Sequence, residues 1–101
     1  MGNMDSSEIK HILAAHAAYL KETYYVKELG VFGSFSTGKQ KKTSDVDVLV
    51  AFTKGHKDYF NYVRLKCYLE ELIGRKVDLV PKEAVKPRLK DKIFSEVEYV
   101  K

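Results

Sequence analysis

A chain of 101 residues is expected to form one domain spanning 1–101, and 45% apolar residues are enough to give it a core. Its single cysteine excludes an internal disulfide and argues against a thiolate zinc site. The net charge of +4 is carried mostly by lysine; it suits a nucleoside triphosphate as readily as nucleic acid, and the scarcity of arginine argues against a dedicated duplex reader.

In chain order, residues 5–22 read as a helix, with Asp5 as cap, Glu8 in a capping-box position, and Ile9, Ile12, Leu13, His16 and Leu20 on one face. Tyr25 to Phe32 reads as a strand ending at Gly33, followed by a turn and an exposed loop, "KQKKTS", over 39–44. The next strand alternates: Val46, Val48, Val50 and Phe52 share one face, and Asp45, Asp47, Leu49 and Ala51 the other. Gly55 ends it. Asp58 to Ile73 reads as a second amphipathic helix, stopped by Gly74. "KVDLV" over 76–80 is a short strand closed by Pro81. Residues 82–95 read as a helix interrupted at Pro87, and "VEYV" over 97–100 as an edge strand. The order predicts an α+β fold, a small mixed sheet with helices packed mainly on one face. The short excursion between the first two strands predicts an antiparallel pair. No apolar run reaches the roughly 20 residues of a membrane span, no signal region precedes the first helix, and a cytoplasmic setting is expected.

Two carboxylates at the mouth of a core strand need an explanation. Asp45 and Asp47 project to the same side, about 7 Å apart along the strand. Bare carboxylates this close repel one another, and divalent cations relieve that repulsion. Asp78, in the next strand, faces the same patch if the two strands are neighbours. Three acids could hold two magnesium ions for an in-line phosphoryl displacement. Gly33 lets the backbone approach a phosphate, Ser34 offers a hydroxyl, and Lys39, Lys41 and Lys42 can offset triphosphate charge. "GSFSTGKQ" over 33–40 nearly matches the phosphate loop G-x-x-x-x-G-K-[ST], but Gln40 lacks the metal-binding hydroxyl and no long helix follows.

The stretch "GSFSTGKQKKTSDVDVLV" over 33–50 resembles the G-S…[ST]-D-x-D-[ILV] signature of the DNA polymerase β-like nucleotidyltransferase superfamily, and the short chain resembles its minimal nucleotidyltransferases, the MNT proteins. The resemblance implies a palm-like sheet and the transfer of a nucleoside monophosphate, usually AMP from ATP, to a hydroxyl. It implies that Asp45, Asp47 and Asp78 are the catalytic and metal-binding carboxylates, and that Gly33, Ser34, Lys39, Lys42 and Ser44 contact the nucleotide. It implies ATP as substrate and Mg2+, two ions, as cofactor. Many minimal members resemble antitoxins that modify a tyrosine of a HEPN-type toxin partner. The "KQKK" loop departs from relatives in carrying lysine where arginine is often seen.

His16 reads as a packed or hydrogen-bonded core histidine, His11 and His56 as exposed, and Cys67 as a small core residue. Tyrosines on the Tyr59–Tyr68 helix suggest a partner surface, and "KPRLKDK" over 86–92 reads as a solvated face or the acceptor side of the cleft. Two other function classes stand beside the enzyme: a non-catalytic antitoxin that neutralises a partner by occlusion, and a nucleic-acid-binding regulator supported by charge alone.

Overall fold

The structure, a computed structural model, describes residues 6–33, 45–53, 55 and 58–100. Its elements are α1 (Ser6–Ala15), α2 (Ala17–Tyr24), β1 (Val26–Phe32), β2 (Val46–Phe52), α3 (Tyr59–Ile73), β3 (Val77–Pro81), a 3-10 turn (Lys82–Ala84), α4 (Pro87–Glu96) and β4 (Glu98–Tyr99). The sheet order is β3-β2-β1-β4; β2 and β3 are parallel, the other pairs antiparallel. This is the expected α+β fold with a mixed sheet.

The single helix expected over 5–22 is two helices broken at His16. Its backbone N–H turns to the Leu13 carbonyl at 3.1 Å, and its ring Nδ1 donates to the Ile12 carbonyl at 2.9 Å. The ring thereby serves the acceptor that a continuous helix would have given to the backbone N–H. Flanking alanines favour helix on both sides, so nothing in local propensity marks the break. His16 is half-buried, not a core residue, and its ring meets Tyr68 edge-on. The Asp5 cap lies outside the described residues.

Tyr25 does not begin the strand. It caps α2 in the left-handed region (φ 59°), and its carbonyl accepts from the Thr53 N–H at 2.7 Å. In β1, the pairing steps from Val26↔Phe52 to Glu28↔Ala51, so one extra residue sits in the strand. That bulge restores phase: Val26, Leu29 and Val31 all join the main core although 26 and 29 are three apart.

The main core lies on one sheet face, where α1, α2 and α3 bring Ile9, Leu13, Leu20, Leu65, Leu69 and Ile73 against the valines of β2 and β3. The opposite face carries a smaller cluster. Phe32, Leu49 and Val85 are buried there, with Val80, Ile93, Phe94 and Val97 packed on them. The helix expected over 82–95 is a 3-10 turn, an extended step at Val85 and Lys86, and then α4, with Pro87 at its start where a missing N–H costs nothing. Gly30 admits this layer: a Cβ there would lie 2.6 Å from a Val97 methyl. Cys67 is exposed on α3, not in the core.

Asn61 ties α3 to the end of α2. Its backbone N–H is capped by Asp58 Oδ1 at 2.8 Å, and its buried side-chain amide donates to the Tyr24 carbonyl at 2.7 Å. That carbonyl belongs to the last turn of α2, where no backbone partner exists. Asn61→Ala is expected to cost about 1–3 kcal/mol by stranding it, and Asn61→Asp more, since a carboxylate would face a carbonyl. Urea unfolding of the three proteins checks the order.

Candidate active site

The site begins with the β2–β3 register. Parallel pairing sets Asp47 opposite Asp78 and Val48 opposite Leu79, so both carboxylates leave the same sheet face. Asp45 precedes the strand by one residue and is exposed. The ladder is closed at this end by the Val46 N–H donating to the Lys76 carbonyl at 2.9 Å. Two contacts from α3 hold β3 in place: Glu70 Oε2 accepts from the Val77 N–H at 3.0 Å, and the Tyr62 hydroxyl donates to the Leu79 carbonyl at 2.5 Å. The carboxylates therefore sit at the ends of two core strands, on the face that α4 covers further along at Leu49.

Gly33 adjoins them. β1 pairs Phe32 with Asp47, and the chain then turns through Gly33 at φ +73°. A Cβ there would lie 2.1 Å from Asp47 Oδ2. Glycine is thus required twice, by the backbone conformation and by the carboxylate lying against it. Ser34, Lys39, Lys41, Lys42 and Ser44, expected at the nucleotide, lie outside the described residues, as does His56.

Burial and repulsion push the Asp47 carboxyl up to about 6. Desolvation is the largest cause, followed by the charges of Asp78 and Asp45, a hydrogen bond to the Asp78 side chain, and the charge of Glu96. Glu96, the last residue of α4, is the acid that sequence reasoning missed. Its only signal was its place at the end of a helix whose packing could not be read from sequence. Among the described residues, no group of three or more His, Cys, Asp or Glu side chains closes round a point that could hold an ion. The arrangement is an open acidic ledge, not a cage. Magnesium fits such a ledge, because it keeps waters and takes phosphate oxygens as its remaining ligands. A mainly apolar groove of about 280 Å³, lined by Phe52, Tyr59, Tyr62, Pro81 and Ala84 with Asp58 and Glu83, lies at the other ends of β2 and β3 and holds none of Asp45, Asp47 and Asp78.

The tyrosines divide. Tyr59 and Phe60 are exposed at the start of α3, whereas Tyr68 stacks with Tyr19 and Tyr24, and Arg64 lies 5.5 Å from the Tyr24 ring centre.

The native state holds the Asp47 proton more tightly than the unfolded chain does. Stability from this group is present below about pH 4 and lost as pH rises through about 6. Asp47→Asn is therefore expected to stabilise the fold by about 1 kcal/mol at pH 7.5, a modest gain because water screens a half-exposed carboxylate, and by nothing at pH 4. Gly33→Ala is expected to destabilise it by about 1–2 kcal/mol at both. Chemical denaturation at the two pH values measures each.

Residues 13–100 match the family described as Nucleotidyltransferase domain. The protein adenylyltransferase MntA of Thermococcus cleftensis is 41% identical over 100 residues, 99% of this chain and 100% of that one. A solved candidate minimal nucleotidyltransferase is 31% identical with a TM-score of 0.78, over 97% of this chain and 98% of that one. A tri-AMPylated Shewanella oneidensis HEPN toxin in complex with an MNT antitoxin gives a match at 17% identity and a TM-score of 0.64, over 91% of this chain and 71% of that one, which shows the shared fold. With the aspartates of β2 and β3 side by side next to a glycine turn, and the first two of these relatives matching almost end to end, the chain belongs to the nucleotidyltransferase domain family and is a minimal nucleotidyltransferase of the DNA polymerase β-like superfamily.

Proposed function

We propose that the chain transfers AMP from ATP to a tyrosine hydroxyl of a HEPN-type toxin partner and so acts as an antitoxin. The observation that carries the reading is the register that faces Asp47 with Asp78 beside Gly33. The relative named as a protein adenylyltransferase, and the fold shared with an MNT antitoxin in complex with an AMPylated HEPN toxin, support the acceptor class.

In this reading Asp45 and Asp47, with Asp78, hold magnesium. When bound, the metal neutralises triphosphate charge and lowers the pKa of the acceptor hydroxyl. Asp78, exposed at the sheet's edge, is open to the acceptor and takes its proton. The hydroxyl oxygen bonds to the α-phosphorus, the bond to the bridging oxygen breaks, and pyrophosphate leaves. The Gly33 turn lets backbone approach the phosphates, and Ser34, Lys39, Lys42 and Ser44 bind the nucleotide around it. The whole of 1–101 acts as one nucleotidyltransferase domain in a cytoplasmic setting; among the described residues, no helix is long and apolar enough to cross a membrane.

Incubation with labelled ATP, magnesium and a purified HEPN-type protein encoded beside this chain is expected to label that protein on tyrosine. Chelation of the metal, Asp45→Asn with Asp47→Asn, or Asp78→Asn should each reduce labelling by at least about 100-fold. Full neutralisation of the toxin by the triple variant would favour occlusion and sink the catalytic reading.

A further inference from the structure

One segment is left unused by the fold and by the site. α4 is anchored only by its second half, through Ile93, Phe94 and the following Val97. Lys86 and the first six helical residues, Pro87–Lys92, are all exposed. A helix of this length has little stability of its own, so an overhang exposed on every side contributes little to folding. Its composition also works against the helix. Lys86 stands at the N-cap without a side-chain hydrogen bond, Arg88 follows in the first turn, and no acid lies in that turn to offset the positive end of the helix dipole. Lys90 and Lys92 add to the charge, and Asp91 is the single acid in the stretch. Leu89 lies among these cations at 41% exposed.

Position gives the overhang a direction. Phe94 and Val97 pack α4 onto the face that bears Asp47, and Glu96 at its other end is close enough to press on the Asp47 carboxyl. Eight residues of helix separate Arg88 from Glu96, about 12 Å. We infer that Lys86 and Pro87–Lys92 form the docking surface for the protein that accepts the nucleotidyl group, and that the surface they meet is acidic. The inference rests on the proposed transfer to a protein for the identity of the occupant, and on the structure for the surface.

Charge complementarity decides the partner's sign. Four cations along the overhang of a helix whose other end reaches Asp47 would draw in an acidic acceptor that the carboxylates alone would repel. The exposed Leu89 fits a protein contact better than a phosphate backbone, which offers nothing apolar to cover it. A site about 12 Å along the helix from Glu96 suits a macromolecular acceptor, bound at one place and modified at another.

Three fluorescein-labelled peptides of equal length test this. Each carries one tyrosine and, about four extended residues away, a run of glutamates, glutamines or lysines, which spans the same distance. At low salt the wild-type protein is expected to bind the glutamate peptide about tenfold more tightly than the glutamine peptide. Arg88→Glu with Lys92→Glu should abolish that preference and reverse it toward the lysine peptide. The variant keeps its fold, since both positions are exposed and an acid in the first turn favours the helix. Labelled AMP transfer should follow binding, with KM for the glutamate peptide about tenfold higher in the variant, and with kcat and ATP binding within about twofold of wild type. Equal binding of the three peptides, or a variant that keeps the wild-type preference, overturns the docking surface. Selective binding without AMP transfer to any peptide supports the docking surface and counts against the proposed activity. Tighter binding of a single-stranded RNA oligonucleotide, lost in the same variant, overturns the inference in favour of nucleic acid.

Discussion

A parallel strand pair cannot be closed by a tight turn, and that constraint organises this molecule. β2 and β3 lie side by side because α3 carries the chain back across the sheet. The crossover does more than connect. Its apolar stripe, with Leu65, Leu69 and Ile73, fills the main core, and its polar side chains reach down to set the height of β3 through Glu70 and Tyr62. A slip of β3 by one residue would turn Asp78 into the core and Val77 and Leu79 out of it, so burial itself specifies the register that brings the acids together.

The price of that register is electrostatic. Asp47 is half-buried among other acids, and its carboxyl resists ionisation accordingly. Unrelieved, this is a local defect in the fold. On the proposed reading, a divalent cation and a polyphosphate would turn it into affinity, because the repulsion removed on binding is available to the ligand. Gly33 permits the close approach because it has no Cβ to meet the Asp47 carboxylate. The last helix then carries opposite signs along its length, acid at Glu96 beside Asp47 and base on its overhang.

Much of this was legible in the residues. Strict alternation in β2 placed Asp47 with Leu49 on one side and three valines on the other, and the helix signals at Asp58 and Gly74 bracketed α3 within a residue. The adjacency of Asp78 was a conditional inference, since which strands neighbour each other is a long-range property. Features set by tertiary context were not legible. The His16 break depends on a ring hydrogen bond that helix propensity does not register, and the β1 bulge on what each residue packs against. Cys67 looked apolar enough to bury but falls on the outer side of α3. Glu96 was invisible because its role depends on where the last helix lands.

β3 has five residues and, among the described strands, a neighbour on one side only. Edge strands open at a fraction of the free energy needed to unfold a domain. An excursion that frees β3 from β2 would carry Asp78 out of reach of Asp47 while the β1–β2 hairpin and the helices beneath it stayed folded. On the role proposed for Asp78, activity on warming would then report the fraying of one border rather than the melting of the whole, and it would vanish first.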